Sequence, residues 1–343
     1  MKKAIVCGAG GFIGGHMVKR LLDEDYLVVA VDIKSLAGSK VPFGDSKPVG
    51  WEQVHSKAIN LSSYDLRNPA LVKKILATYE ADELYQFAAD MGGAGYLFTG
   101  EHDADVMHNS ATINLNIAHA IANYSKHTKV FYSSSACIYP THNQEDPESP
   151  NCEESSAYPA NPDSEYGWEK LFSERLWRSF ARNYNLSVRI ARFHNIFGPL
   201  GTWQGGKEKA PAAMCRKVAM VEDTPEEGMV IDVWGPGNQT RSFLYIDECI
   251  EAVRRLMESD VTEVINIGSD EMISINGLAQ MAADISGKDI KIRNIDGPVG
   301  VNGRNSDNEL IEKLLDWRPD EALVTGMEKT YYWISQQVRE ALS

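Results

Sequence analysis

The sequence predicts an α/β protein: a doubly wound parallel sheet with a smaller C-terminal lobe interleaved with it. Three observations carry that expectation. Short apolar runs recur between stretches of helical periodicity; the first run ends in a glycine cluster that opens a helix; and after Arg192 the chain turns rich in Gly, Pro and aromatic residues. A chain of 343 residues, 43% apolar and 24% charged, has the size and composition for one large α/β unit plus a lobe.

The elements follow in order. Lys3 to Cys7 is a short apolar run of the kind that forms a strand buried on both faces. From Phe12 to Asp23, Ile13, Met17, Val18, Leu21 and Leu22 share one side of a helix, and Leu27 to Val31 is a second buried strand ending at Asp32. Residues 84–88, 128–132 and 187–191 repeat the strand pattern, with helices expected near 67–78, 104–124 and 164–184. Such alternation implies right-handed crossovers and parallel pairing. Residues 193–210 read as loop, Lys209 to Val221 as a helix and 222–229 as an acidic surface loop. Strands near 230–234 and 264–267 and helices near 274–286 and 323–341 are expected in the lobe. The division is therefore 1–192 and 193–343, with part of 240–270 returning to the first unit.

The net charge of −14 opposes nonspecific binding to nucleic acid or anionic membrane, since the long-range field repels polyanions. No apolar stretch approaches the roughly 20 residues of a membrane span, and Met1-Lys-Lys runs straight into a strand. The five cysteines, Cys7, Cys137, Cys152, Cys215 and Cys249, are scattered, odd in number and without a Cys-x-x-Cys. That pattern supports neither a disulfide framework nor a zinc site, and no metal is expected. The cytoplasm is the expected location.

Gly8-Ala-Gly-Gly11-Phe12-Ile13-Gly14 lies between the first strand and the first helix. Glycines there permit a tight turn and close approach of backbone to a pyrophosphate, which the helix N-terminus attracts. The arrangement is that of a Rossmann-type dinucleotide site. Asp32, at the end of the second strand, suits a ribose diol and would repel a 2′-phosphate, so NAD is expected rather than NADP. Asp65 either contacts the adenine or caps a helix.

Ser135, Tyr166 and Lys170 suit hydride chemistry on an alcohol. The serine orients the substrate, the phenol takes the proton, and the ammonium lowers the phenol's pKa. The alternative for Tyr166 and Lys170 is a surface pair one helical turn apart. Cys137, two residues after the serine, is unnecessary for that step and points to a second reaction in the same pocket; its alternative is an inert buried thiol. The other four cysteines read as structural.

These residues resemble the extended short-chain dehydrogenase/reductase family of nucleotide-sugar enzymes and, within it, the GDP-mannose 3,5-epimerases. The resemblance is carried by Ala88-Ala-Asp-Met-Gly-Gly93, Ser133 to Pro140, Arg192 to Pro199, Gly201-Thr-Trp and Gly205-Gly-Lys-Glu-Lys209-Ala-Pro-Ala-Ala. Gln239-Thr-Arg241-Ser-Phe, Asn266 to Glu271 and Gly303-Arg304-Asn-Ser-Asp307 extend it along nearly the whole chain. It implies an NAD-dependent epimerase, a GDP-sugar substrate with GDP-mannose favoured, a substrate-binding role for the smaller lobe, and a homodimer joined through the helices near 104–124 and 164–184.

Inverting a ring carbon requires removal of an unactivated C–H proton. Oxidising C4 to a ketone acidifies the hydrogens on C3 and C5, and two acid/base groups on opposite faces then move the protons. Cys137 is the candidate on one face, and the resemblance assigns the other to Lys209, which alone would read as a solvated lysine at a helix start. Related dehydratases carry an acidic pair where this chain has Ala136 and Cys137, and simple 4-epimerases need no such group. Lys217, Arg241 and Arg304 are the candidates for neutralising the nucleotide diphosphate. By resemblance Gly95, Ser135, Ala136, Asn195, Glu208, Ala210 and Gln239 also touch substrate. The chain departs from the family at Ala94, Tyr96 and residues 97–105, beside the expected sugar pocket. A 4-dehydrogenase, 4-epimerase or dehydratase on another GDP-sugar is the competing enzyme expectation. A noncatalytic NAD(H)-binding regulator would have no need of Ser135, Tyr166 and Lys170.

Overall fold

The computed structural model describes residues 1–35 and 51–342. In chain order the elements are β1 (Lys3–Cys7), α1 (Phe12–Asp23), β2 (Leu27–Val31), α2 (Glu52–His55), β3 (Ile59–Leu61), α3 (Pro69–Tyr79), β4 (Glu83–Gln86), α4 (Ala94–Leu97), α5 (Asp103–Tyr124), β5 (Lys129–Ser135), α6 (Glu165–Tyr184), β6 (Val188–Phe193) and β7 (Ile196–Phe197). There follow α7 (Ala210–Met220), β8 (Met229–Trp234), β9 (Thr240–Ser242), β10 (Leu244–Tyr245), α8 (Ile246–Glu258), β11 (Val264–Ile267), β12 (Met272–Ser274), α9 (Ile275–Ser286), β13 (Ile290–Ile295), β14 (Gly303–Arg304), α10 (Glu309–Leu315) and α11 (Leu323–Leu342).

Seven strands form the central parallel sheet in the order β11-β6-β5-β4-β1-β2-β3. Alternate residues of a strand face opposite sides, and β1 divides accordingly. Ala4 and Val6 join the core under α1 and α8, whereas Ile5 and Cys7 join the one under α3 and α5. Both faces are covered, so the strands read as continuous apolar runs rather than alternating ones. The order reverses between β1 and β4, and in open sheets of this kind a crevice for ligands opens there.

The helices start and stop where their end residues satisfy free backbone groups. Asn68 caps α3 by accepting the Ala70 N–H, with Pro69 in the first turn. Ser164 caps α6 by accepting the Gly167 N–H, and Asn185 ends it in the left-handed conformation at φ 55°.

Residues 264–267 do not build the lobe. They form β11, which pairs in parallel with β6 and completes the central sheet. The lobe is built instead from β8 paired with β13, from β9 between β12 and β14, and from α7, α9 and α11 packed on one another.

Candidate active site

The glycine loop closes the first turn through a Gly11 N–H to Gly8 carbonyl bond of 3.0 Å. Gly14 is where α1 meets that loop, and a Cβ there would stand 2.1 Å from the Gly8 oxygen. Only glycine permits this approach. Asp32 is buried and ties the loop to the sheet: one carboxylate oxygen accepts Gly10 N–H at 2.8 Å and the other Lys34 N–H at 2.9 Å. Phe12 and Ile13 open α1 and are partly buried against the core. A bare backbone cradle at a helix N-terminus with a carboxylate at the end of β2 fits a dinucleotide, and these residues would hold it. Asp65 is neither free nor a helix cap. Arg67 clamps its carboxylate with bonds of 2.9 and 2.7 Å, and Asn68 does the capping.

Ser135 ends β5 at the mouth of the crevice. Its hydroxyl oxygen accepts the Cys137 N–H at 3.2 Å, closing one tight turn over Ala136–Ile138. That turn places Ser135, Ala136 and Cys137 against the start of α6. At Gly167 a Cβ would come within 2.2 Å of the Cys137 carbonyl oxygen, so a glycine lets the helix carrying Tyr166 lie on the turn carrying the thiol.

Tyr166 and Lys170 lie one turn apart on α6 and are 8% and 3% exposed, which excludes a solvated surface pair. Lys170 Nζ donates to the Ser133 carbonyl at 2.8 Å and lies 5.6 Å from the Tyr166 ring centroid. Burial pushes the Lys170 ammonium below its ordinary value, against the opposing charges of Glu169 and Cys137. The phenol is not depressed in this environment. Burial, and secondly the charge of Cys137, push it well up, and the hydrogen bond with Ser135 offsets only part. The ammonium, hydrogen-bonded to the Ser133 carbonyl and facing the ring, is not among the groups that lower the phenol.

Lys209 occupies the residue before α7 with extended backbone, φ −86° and ψ 163°. Its ammonium has no hydrogen bond or ion pair among the described residues, and burial lowers its pKa while the charge of Cys137 opposes that. Cys137 therefore lies close enough to act electrostatically on Lys209, Tyr166, Lys170, Arg241 and Arg304 together. The Cys137 sulfur and the Arg304 guanidinium are 167 residues apart in the chain.

The basic residues divide into two kinds. Arg241, on β9, donates to the carbonyls of Thr240, Val299 and Val301, and has no carboxylate in contact among the described residues. Burial, then the neighbouring Arg304, pull it down to about 10. Lys217 donates to the Asp232 carbonyl at 2.5 Å and is likewise lowered, chiefly by burial. Arg304 is of the second kind, a guanidinium already paired with a carboxylate. Its guanidinium binds Gln144, Asp163 and the Cys137 sulfur, because β14 presents it to the turn after β5.

Asn195, at φ 47°, donates to the Ser242 carbonyl at 2.9 Å and so joins the end of the sheet to the lobe. Glu208 accepts Gly206 N–H and pairs with Arg216 at 2.9 Å, and Ala210 begins α7. Gln239 donates to the Trp234 carbonyl at 3.1 Å and leaves its own buried oxygen unpartnered. Gly95, on α4, faces Gly206 and Trp234. The Ala94 side chain, expected at the sugar pocket, lies outside the described atoms. Asp163 and Gln144 carry no mark in the sequence. Both stand in polar turns, where nothing local marks them.

The sequence pattern of the NAD dependent epimerase/dehydratase family matches residues 4–268. The chain belongs to that family. Among curated proteins, this family member is 40% identical over 338 residues to the GDP-mannose 3,5-epimerase of Arabidopsis thaliana, covering 98% of this chain and 83% of that one. It is 40% identical to GDP-mannose 3,5-epimerase 1 of Oryza sativa subsp. indica, covering 98% and 82%. Among solved structures it is similar to the UDP-glucuronic acid 4-epimerase of Bacillus cereus in complex with UDP-glucuronic acid and NAD, at 25% identity and a TM-score of 0.79, covering 98% of this chain and 99% of that one. As a member of this family it is an NAD-dependent enzyme. Its glycine cradle and Asp32 are the elements that fit the cofactor.

Proposed function

We propose that this epimerase inverts C3 and C5 of GDP-mannose through a transient ketone at C4, giving GDP-L-galactose and GDP-L-gulose. The observation that carries the proposal is the convergence of Cys137 and the unpartnered ammonium of Lys209 on the pocket of Ser135, Tyr166 and Lys170. The glycine cradle and Asp32 would hold NAD+, which would supply a hydride acceptor for C4 and, once reduced, the donor that returns the hydride, with no net redox change. Ser135 orients the C4 hydroxyl and Tyr166 takes its proton, restoring it on the way back. Lys170 supports the phenol from below. With C4 a ketone, the hydrogens on C3 and C5 are acidic enough for side-chain bases. One of Cys137 and Lys209 removes the proton from one face, and the other delivers a proton to the opposite face. Burial tunes Lys209 toward this work, since lowering an ammonium's pKa brings it nearer neutrality.

Arg241 and Lys217, half-buried cations without carboxylates in contact among the described residues, are the arms for the diphosphate. A 4-dehydrogenase or dehydratase is the second reading. The place where dehydratases keep acidic residues holds Ala136 and Cys137, which favours epimerisation.

The same proposal includes a homodimer and a cytoplasmic location. The outer face of α6 exposes Trp168, Phe172 and Tyr184, and a groove there is lined by Phe172, Leu176, Phe180 and Tyr184, which suits a second copy of the helix. All five cysteines are free, which suits a reducing compartment. No described helix is long and apolar enough to cross a membrane.

Incubation with GDP-mannose and catalytic NAD in D2O, followed by NMR of the sugar, tests the reaction. Deuterium at C3 and C5 with no net NADH supports it. Loss of water, accumulation of NADH, or absence of both uptake and turnover overturns it.

A further inference from the structure

We propose that Asp163 is a positioning residue that holds Arg304 against the sulfur of Cys137, so that the acid/base thiol is one end of a buried Asp163–Arg304–Cys137 chain. The inference rests on the acid/base role given to Cys137 above. Arg304 has only 5% of its surface exposed, and all three of its nitrogens are engaged. Nε donates to Gln144 Oε1 at 2.5 Å, Nη2 to Asp163 Oδ2 at 3.0 Å and Nη1 to Cys137 Sγ at 3.2 Å. A guanidinium is rigid and planar, so fixing two of its nitrogens fixes the direction of the third. Gln144 and Asp163 therefore aim Nη1 at the sulfur.

The other end is held as firmly. Cys137 is fixed from behind by its N–H bond to the Ser135 hydroxyl. The second oxygen of Asp163 accepts the hydroxyl of Ser164, the residue that caps α6. One turn thus sets both the helix that carries Tyr166 and the guanidinium that meets Cys137. The ion pair lies out of water, with the two side chains 7% and 6% exposed, where a lone guanidinium is costly. Gln144 also donates to the Tyr139 and Pro140 carbonyls, so its oxygen cannot swing away without breaking that anchor.

A pairing that merely stabilises the fold is the competing account, and the sign of one effect separates the two. The charged groups facing Cys137 are Arg304 from β14, Arg241 from β9, Lys209 just before α7 and Lys170 from α6, with the titratable phenol of Tyr166 beside them. If Asp163 acted only through space, deleting its negative charge would leave these cations unopposed and make the sulfur more reactive as a thiolate. If it positions Arg304, deleting it frees the guanidinium and makes the sulfur less reactive.

The test is the rate of alkylation of Cys137 by iodoacetamide in the NAD-loaded enzyme across pH, with Cys137→Ser as the blank; the other four cysteines are buried. Asp163→Asn is expected to slow alkylation at neutral pH by about tenfold, because the freed guanidinium no longer meets the sulfur. Arg304→Met should slow it at least as much, and Asp163→Asn in the Arg304→Met background should add nothing further. Asp163→Ser serves in place of Asp163→Asn if the latter does not bind NAD. With GDP-mannose in D2O, either Asp163 variant should lose deuterium uptake at carbon while keeping transient NADH formation at C4. Alkylation that accelerates or is unchanged, an effect that persists without Arg304, or equal loss of C4 oxidation and exchange overturns the proposal. Alkylation needs no sugar, so the proposal can fail while the epimerase reading stands, and the reverse.

Discussion

Gly167 rests on the carbonyl of Cys137, leaving 2.2 Å where a Cβ would have to sit. The residue next to the redox tyrosine is thus the residue on which the thiol's turn is seated. Any side chain at 167 pushes α6 and that turn apart. Gly167→Ala is expected to lower turnover by about a hundredfold, the loss that a displacement of roughly 1 Å produces at a reacting centre. Transient NADH formation and deuterium exchange should fall together, measured by nicotinamide absorbance and NMR, because both Tyr166 and Cys137 move.

Tyr166→Phe should separate cofactor binding from chemistry. The phenol is buried and its loss leaves the glycine cradle untouched, so NAD affinity by calorimetry is expected to stay near wild type. C4 oxidation should fall by about 10²–10⁴-fold, the usual contribution of a positioned acid or base. Exchange at C3 and C5 depends on the ketone and should fall in step.

Lys209→Met is expected to lose isotope exchange and gain stability. Burial holds the ammonium's pKa below its unfolded value of 10.5, so the unfolded chain binds that proton more tightly than the folded one. The resulting penalty is fully present below the folded pKa and disappears as pH rises through 10.5. Removing the charge should therefore raise Tm at neutral pH by a few degrees, as about 1 kcal/mol does for a domain of this size. The gain should shrink toward alkaline pH in scanning calorimetry. No gain at neutral pH would mean that the ammonium is not penalised in the fold.

Arg254→Met should be severely destabilising. This arginine, on α8 and 2% exposed, pairs with Glu24 at 2.7 Å, Glu83 at 3.0 Å and Glu258 at 2.9 Å, and also binds Tyr26 and Tyr85. Its removal strands the buried carboxylate of Glu83, at a cost of about 3–5 kcal/mol. Denaturant unfolding should show it. Burial alone would raise Glu24, but its bonds to Arg254 and Arg20 hold it below the usual range. That share of the stability is present above the ordinary carboxylate pKa and fades as pH falls through the depressed value. The variant and the wild type should accordingly converge in acid.

What the sequence discloses and what it withholds follow from range. Ser135 and Cys137 share one turn, and Tyr166 and Lys170 one helical step, so their spacing already encodes their meeting. The glycine loop is equally local. Asp163 and Arg304 meet across 141 residues, and Gln144 and Arg304 across 160, which no periodicity can announce. Strand β11 illustrates the same division. Its apolar run marks residues 264–267 as a strand, but a run of four residues does not name its partner, and the pairing with β6 came from the fold. A guanidinium in a polar loop suits a phosphate, and nothing near Arg304 in the sequence announces a thiol. The sulfur that it faces lies on a distant turn.

That late strand has a consequence for how the protein is made. Every residue of β6 is buried, and its outer edge is covered only by β11, some seventy residues further along. On the ribosome, β8, β9 and α8 must emerge before that edge can close. A nascent chain that has reached β6 therefore exposes an apolar, hydrogen-bond-hungry strand, the kind of edge that pairs with neighbouring chains. Truncation just before Val264 would leave that state permanent. The first lobe expressed by itself is therefore expected to aggregate, although the sequence that carries its cofactor loop ends long before.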